Sequence, residues 1–227
     1  MRLRPPGTIV DEIAFFNKEY NVDLFHFTDS VVNRPVGHFE AVCEEIIARD
    51  LKISWTGFFR EDTFTQKLAD LALKSGLTAC YFSADGLTKH GLRVLKKQLT
   101  IEDVLRASRI TVENNILTMH HFLVNLPLEF PDNVREAKEM MRRILDIHES
   151  SGNLGAVIFN NVRLYPDAPL TKKLKKEKQL GAEIDLLYPV YYNPLETAHI
   201  RYEIEAMCHA AGVFSRLEFK KTTFKGR

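Results

Sequence analysis

The stretch from residue 22 to residue 60 constrains the fold more than any other part of the sequence. Residues 22–28 form a short run rich in β-branched and aromatic side chains, and a polar loop follows them. From Phe39 the apolar residues recur at helical spacing, and residues 52–58 return to the pattern of a strand. A strand, a crossover helix and a second strand within so short a stretch predict a parallel βαβ unit with a right-handed connection.

The rest of the sequence repeats this pattern. Strand-like runs lie near residues 25, 55, 81, 120 and 159, with helical stretches between them. No G-x-G-x-x-G motif follows a strand, which weakens the case for an open dinucleotide-binding sheet. The sequence therefore predicts an α/β fold, a partial (β/α) TIM-type barrel with parallel strands over residues 1–180. A C-terminal helical extension, residues 181–227, is predicted to pack on this barrel, and Thr8 is the predicted N-cap of the first helix.

Composition excludes several classes of partner. The chain has 227 residues, 27% of them charged, and a net charge of +1, whereas a nucleic-acid or membrane footprint needs a clustered basic excess. No apolar run approaches the roughly 20 residues that span a bilayer. We therefore predict a cytoplasmic protein that acts on a small-molecule substrate, without a nucleic-acid or membrane partner.

The three cysteines are far apart in the sequence. Cys43, Cys80 and Cys208 form no C-x-x-C pair and no C-x3-C-x2-C motif, so their spacing predicts no metal or iron–sulfur site. Because they fall on apolar helix faces or in a strand, they are predicted to be buried, unreactive thiols.

Candidate functional groups follow the strands, because barrels carry their sites at the carboxyl ends of the strands. Hydrogen-bonding groups dominate this set, and few of them are general acids or bases. Several have structural alternatives: Asp29 can cap its own turn, and Arg60 can pair with Glu61 or Asp62. The set comprises Asp29, Ser30, Asn33, Arg60, Glu61, Ser83, Asp85, His121, Asn125, Asn160, Asn161, Arg163 and Tyr165.

Six stretches occur in an order that matches a known family: RPPGTIVDEIAFF, VDLFHFTDSVVN, LKISWTGFFRED, LTACYFSADGLTKHGLRVLKKQLTIEDVLRA, MHHFLVNLPLEFPDNVREA and VRLYPDAPL. Through them the chain resembles the radical S-adenosylmethionine (SAM) superfamily. The resemblance is to the branch often joined to a cobalamin-binding domain, which includes enzymes similar to the anaerobic magnesium-protoporphyrin monomethyl ester cyclase.

The resemblance implies a six-strand partial barrel of which this chain supplies strands two to six. It implies reductive cleavage of SAM at a [4Fe–4S] cluster, then radical chemistry such as oxidative cyclisation or methylation of an organic substrate. SAM and the cluster are the cofactors expected for the full-length enzyme, and cobalamin is compatible with the branch. By position, Ser83, Asp85, Asn125 and Arg60 would bind the cofactor, and the substrate side would comprise Asp29, Asn33, Asn160, Arg163 and Tyr165.

The chain also departs from the family pattern. The three-cysteine cluster loop is absent from this chain, and Asp85 stands where the family usually has Glu. We therefore expect this segment alone to be inactive, with an upstream cluster-bearing segment and a cobalamin-binding domain as its partners. Two alternatives stay open: a non-catalytic barrel that binds a small ligand or a partner, and a cofactor-independent lyase or isomerase using Asp29, Asp85 or His121. The exposed edge of the first strand also predicts either association as a homodimer or coverage of that edge by the N-terminal segment or the tail.

Overall fold

The computed structural model of the protein describes residues 3–127, 131–181, 183–194 and 199–217. Helices and strands alternate along most of the chain. A short 3₁₀ turn, Glu61–Thr63, follows β2. In order, the elements are α1 (Pro6–Tyr20), β1 (Leu24–Phe27), α2 (Val36–Ala48), β2 (Ser54–Phe59), α3 (Gln66–Lys74), β3 (Leu77–Asp85), α4 (Lys89–Val94), α5 (Ile101–Glu113), β4 (Leu117–Val124), α6 (Pro131–Glu149), β5 (Leu154–Arg163), α7 (Pro169–Lys176), β6 (Tyr191–Tyr192), α8 (Ile200–Ala210) and β7 (Phe214–Leu217).

The strands form one sheet in the order β1-β2-β3-β4-β5-β6, and β7 also pairs with β5. β1 pairs in parallel with β2, where Leu24 lies opposite Ser54, and β2 pairs in parallel with β3. The short strand β6 runs antiparallel to β5. All five strands expected from the sequence are present, and the predicted fold class, a mostly parallel α/β partial barrel, is confirmed.

The chain divides into two compact units. The first unit comprises Met1–Ala84, Leu99–His120 and Ile144–Ala156, and the second comprises Asp85–Gln98, His121–Arg143 and Val157–Arg227. The separate C-terminal extension expected over residues 181–227 stays a prediction. Residues 218–227 of this extension lie outside the described residues.

The core of the first unit is a series of aromatic rings. Trp55 stacks on Phe59, whose ring centroid is 5.3 Å from that of Phe64, and Phe64 is 5.3 Å from Phe82. All four side chains are essentially buried, and the Trp55 indole donates a hydrogen bond to the carbonyl of Ser75 at 3.0 Å. Each buried aromatic side chain removes about 150–250 Å² from water, so this series is a main source of the unit's stability.

One glycine is required by the close approach of two chain segments beneath this core. Gly76 has φ +101°, and a Cβ at this position would lie 2.1 Å from the carbonyl oxygen of Ile53. The chain can therefore turn from α3 into β3 here only with glycine.

Two helix starts show how local chemistry defines an element. Thr100 and Asp103 form a reciprocal capping box at the start of α5, as the sequence predicts. α1, by contrast, begins at Pro6 with Pro5 as its N-cap and no side-chain cap, so the prediction that Thr8 is the cap is wrong. A proline already has the φ of the first helical turn, and it starts the helix three residues earlier.

The second unit has its own apolar contacts. Phe122 and Phe159 stack with their ring centroids 6.4 Å apart, and the Cys208 thiol contacts the Met141 sulfur at 3.7 Å. A separate cluster of Leu164, Leu174, Leu180, Leu186 and Val190 underlies α7. Among the described residues, no helix is both long enough and apolar enough to cross a bilayer.

Candidate functional site

The residues predicted to form the site are divided between the two units. Asp29, Asn33, Arg60 and Ser83 belong to the first unit, and Asp85, Asn125, Asn160, Arg163 and Tyr165 belong to the second. We describe the two groups separately.

In the first unit, Asn33 connects the loop after β1 to the loop after β2. Its side chain is fully buried, and its amide nitrogen donates to the Arg60 carbonyl at 2.8 Å and to the Thr63 hydroxyl at 2.9 Å. Its amide oxygen accepts the backbone N–H of Arg60 at 2.8 Å. Because the amide is engaged on both sides, Asn33 positions these loops, and its contact with a substrate stays a prediction.

Arg60 takes part in an ion-pair network on the same loop. Its Nε donates to Asp62 at 3.0 Å, and the other carboxylate oxygen of Asp62 pairs with Arg34. Arg106 donates to the Asp62 carbonyl at 3.3 Å. The pairing of Arg60 with Asp62 is one of the structural alternatives predicted from the sequence. A role for Arg60 in cofactor binding stays a prediction.

Asp29 lies at the rim of an apolar pocket in the first unit. The pocket has a volume of about 60 Å³, and its walls include Phe27, Phe39 and Trp55. Asp29, Arg34, His38 and Cys43 are the ionisable groups that line it. Ser83, the remaining residue of this group, is half-buried near the end of β3.

In the second unit, Asp85 begins a tightly folded loop. It has φ +61° and its carboxylate pairs with Lys97. A Cβ on the adjacent Gly86 would lie 2.6 Å from the backbone nitrogen of Leu92, so only glycine fits there. The His90 ring is hydrogen-bonded to the carbonyl of Pro127 at 3.0 Å, which connects this loop to the one after β4.

Three asparagines of the second unit form a buried group, which we call the asparagine cluster: Asn125, Asn161 and Asn193. Asn125 has φ +57° and donates to the Asn193 amide oxygen, which also accepts from Asn161 at 3.2 Å. Asn161 donates in addition to the Tyr192 carbonyl at 3.2 Å.

The asparagine cluster leaves two acceptors unused. Within the described residues, the amide oxygens of Asn125 and Asn161 have no hydrogen-bond partner, although the two side chains are 0% and 3% exposed. A buried acceptor without a donor costs about 1–3 kcal/mol. The cluster therefore fits a ligand that presents N–H or O–H groups, and both Asn125 and Asn161 are among the residues that the sequence predicts for the site.

The other predicted residues of the second unit lie towards the end of β5. The Arg163 guanidinium lies 4.9 Å from the centre of the Tyr165 ring, and Tyr165 is exposed. Asn160 is half-buried, and alternation along the strand places its side chain on the face opposite Asn161. Asn160 therefore does not share the face of the asparagine cluster.

The chain's own cysteines do not fit an iron–sulfur cluster. All three are buried, and burial raises the pKa of the Cys43 thiol to about 11, that of Cys208 to about 12 and that of Cys80 well above its usual value. Cluster ligands must be thiolates, which such burial disfavours. In the part of the chain that the structure describes, no group of three or more His, Cys, Asp or Glu could hold a metal ion.

Two residues of these groups were missed by the sequence prediction. Lys97, the partner of Asp85, ends a helical stretch and looks like any surface lysine. Asn193 follows a strand of only two residues, so no periodic pattern marks its position. Asn161 was among the candidate groups, but only strand alternation distinguishes it from Asn160.

The chain is similar in sequence to proteins of known activity. No family model matches the chain. The anaerobic magnesium-protoporphyrin IX monomethyl ester cyclase of Rubrivivax gelatinosus is 31% identical over 147 residues, which cover 62% of this chain and 26% of the relative. The chain spans about a quarter of the length of the curated relatives it matches.

Solved structures show the same fold. The radical SAM methyltransferase TsrM from Kitasatospora setae, solved with cobalamin and a [4Fe–4S] cluster, has a TM-score of 0.62 at 21% identity, over 90% of this chain and 41% of that chain. Coproporphyrinogen III oxidase (HemN) from Escherichia coli, a radical SAM enzyme, has a TM-score of 0.57 at 13% identity, over 93% of this chain and 48% of that chain. The resemblance to the radical SAM superfamily and its cobalamin-associated branch is confirmed by these relatives.

Proposed function

We propose that this chain is the barrel portion of a radical SAM enzyme. The observation that carries the proposal is the 31% identity to a cyclase over 147 residues, together with a radical SAM fold. The whole enzyme would cleave SAM reductively at a [4Fe–4S] cluster and start radical chemistry on an organic substrate. Oxidative cyclisation and methylation are the two outcomes that its relatives suggest.

Within this proposal, the chain's part is to hold SAM and the substrate. The unused amide oxygen of Asn125 supports its assignment to the cofactor, because SAM carries amino and hydroxyl donors. Ser83 and Asp85 would contribute further polar contacts, and Asp85 would then exchange its pairing with Lys97 for one with the ligand. Arg60 would have to leave Asp62 in order to take part.

The substrate side would involve Asp29, Asn33, Asn160, Arg163 and Tyr165. Of these, Asp29 at the rim of the apolar pocket and the exposed Tyr165 are the most accessible to a small molecule. Asn33 would act through the loop that it positions.

The cluster would come from polypeptide outside this chain. Because the buried cysteines described above do not fit a cluster, the proposal assigns its ligands to an upstream segment, with a cobalamin-binding domain as a further partner. The chain alone is then inactive. We also propose that it works in the cytoplasm.

Calorimetric titration of SAM into the purified 227-residue chain tests this proposal. We expect binding, and Asn125→Gly should weaken it about tenfold, because glycine keeps the positive φ and removes only the amide. Asn17→Ala, whose side chain only bonds the Val22 carbonyl, is the matched control and should bind like the wild type. Equal affinities of the Asn125→Gly variant and the wild type, or no binding by either, would contradict the cofactor assignment. Formation of 5′-deoxyadenosine by the chain with reductant and iron would contradict its inactivity.

The second candidate function is a non-catalytic module that binds a small polar ligand. The unused amide oxygens of Asn125 and Asn161 favour this module as well, because they need a ligand with donor groups but no iron–sulfur cluster. The in-frame genomic DNA upstream of the Met1 codon distinguishes the two functions. A C-x3-C-x2-C motif there supports the enzyme, and a stop codon directly before the start supports the module.

The edge strand offers a surface for self-association. β1 is at one end of the described sheet, and Leu24 on it is 62% exposed. We propose that two copies pair through this strand, as unprotected edges tend to do. Light scattering should show a dimer, and a monomer at micromolar concentration would contradict this.

A further inference from the structure

Arg201 is a buried cation near the start of α8. It is the second residue of the helix Ile200–Ala210, and it is only 3% exposed. Its Nη2 donates to the hydroxyl of the adjacent Tyr202 at 2.6 Å, and its guanidinium carbon lies 4.5 Å from the centre of the Tyr202 ring. Both of these contacts are with one neighbouring, electrically neutral side chain.

The remaining nitrogens of this guanidinium have no partner among the residues that the structure describes. Nε and Nη1 are both buried and form no hydrogen bond with any described residue. The nearby acidic side chain of Glu203 is already engaged by Lys138 at 2.7 Å. Across the residues that the structure describes, Arg201 forms no ion pair with a carboxylate, whereas Arg34, Arg49 and Arg60 each form at least one.

The contacts with Tyr202 do not compensate for this burial. Removing an ion from water costs several kcal/mol even after relaxation of the protein, and a cation–π contact returns about 0.5–2 kcal/mol. Arginine also cannot lose its proton to escape the cost. A buried guanidinium with two nitrogens that no described residue accepts from is therefore suited to bind an anion.

The position on the helix favours an anion as well. Helical side chains lean towards the N-terminus, so Arg201 extends back over the first turn of α8. That turn has the positive end of the helix dipole, and no side chain among the described residues caps it. A guanidinium beside an uncapped helix N-terminus is a combination that recognises carboxylates and phosphates.

We propose that Arg201 and the first turn of α8 form a binding site for an oxyanion, the carboxylate or phosphate group of a ligand. This site is independent of the proposed enzymatic function, because none of the residues assigned to SAM or substrate lies on α8. A negative result for the oxyanion site would not count against the proposed function. A negative result for that function would not count against the oxyanion site.

Thermal unfolding of the 227-residue chain at constant ionic strength tests the site. Sodium chloride is replaced stepwise by sodium phosphate in one series and by sodium acetate in another. We expect Tm to rise with a saturable dependence on one or both anions, by on the order of 5 °C at a hundredfold excess over Kd. A rise with phosphate alone assigns a phosphate ligand, and a rise with acetate alone assigns a carboxylate ligand.

Arg201→Met should abolish the rise and leave Tm in chloride unchanged or higher, because it removes an unpaired buried charge and keeps the apolar stem. Arg135→Met, at a position 84% exposed, is the matched control and should respond like the wild type. Arg201→Lys keeps the charge without the planar group, so its half-saturating concentration should be at least tenfold higher. This variant also covers the case in which Arg201→Met does not fold.

Two results would overturn the proposal. The first is the same anion response in Arg201→Met or Arg201→Lys as in the wild type, since a general salt effect does not depend on one side chain. The second is no response of the wild type to either anion, which would show that Arg201 binds neither class of oxyanion.

Discussion

Buried asparagines in the two units of this molecule differ in how fully their side-chain amides are hydrogen-bonded. Asn33, in the first unit, has its amide engaged at both ends by the loop after β2. Asn125 and Asn161, in the second unit, use their amide nitrogens, and no described residue donates to their amide oxygens. The residue type and the burial are the same, so only the hydrogen bonds distinguish the asparagine that holds two loops together from the two that we propose contact a ligand.

The largest expected effect of a substitution is at Asn33. Asn33→Leu removes three hydrogen bonds, including the one that the backbone N–H of Arg60 donates to the Asn33 amide oxygen. We expect a loss of about 3 kcal/mol in the free energy of unfolding, measured by urea titration. Asn17→Ala, which removes one bond, is the control, and an equal loss in both variants would contradict the structural role of Asn33.

A buried histidine in the first unit predicts sensitivity to acid. His148 is 2% exposed and its Nδ1 is hydrogen-bonded to the Asn153 amide oxygen at 2.6 Å, while burial lowers its pKa. Because this pKa is lower in the folded protein, the unfolded state binds the proton at a higher pH. Stability should then fall as the pH drops below the unfolded pKa of about 6.5, by at most about 1.4 kcal/mol per pH unit.

Urea titrations between pH 7 and pH 5.5 measure this effect. His148→Gln keeps a polar group but cannot bind this proton, so its free energy of unfolding should depend less on pH. Part of the pH dependence should remain, because the carboxylates that also titrate are present in both proteins. The same pH dependence in the variant and the wild type would show that His148 does not contribute to acid sensitivity.

A smaller effect is expected at the ion pair of Arg60. Asp62→Asn removes a carboxylate that contacts both Arg60 and Arg34, and these side chains are partly exposed. The free energy of unfolding should fall by about 1 kcal/mol or less. A double-mutant cycle with Arg34→Met measures the coupling directly, and zero coupling would mean that Arg34 is not part of the network.

The smallest loss of stability is expected at Asn161, in the asparagine cluster of the second unit. Asn161→Leu removes an unsatisfied acceptor together with two bonds of 3.2 Å, so gain and loss nearly cancel. We expect a change within about 1 kcal/mol by urea titration and, in calorimetry, weaker binding of SAM. If Asn161→Leu lowered the free energy of unfolding as much as Asn33→Leu, the two asparagines would not differ in structural importance.

The sequence predicts the parts of this fold that depend on local periodicity. The unit from β1 to β2, the capping box at Thr100 and the bounds of β4 all follow from spacing within about fifteen residues. The pairing of β6 and β7 with β5 could not be predicted in this way, because a strand of two residues has no period.

The candidate site was less predictable than the fold. The ends of the predicted strands correctly placed Asn125 and Arg60 on loops. They did not indicate that Arg60 pairs with Asp62 or that Asn125 is hydrogen-bonded to Asn193. These facts depend on partners up to 68 residues away in the sequence. Only three-dimensional contacts can show whether a polar side chain is already satisfied.

The single tryptophan of the chain gives the first unit its own optical signal. Trp55 is fully buried among aromatic rings, and no tryptophan is present in the second unit. Its fluorescence therefore reports the melting of the first unit alone, while far-ultraviolet circular dichroism reports both. Coincident transitions in the two signals would identify a single cooperative folding unit, and separate transitions would give each half of the chain its own stability.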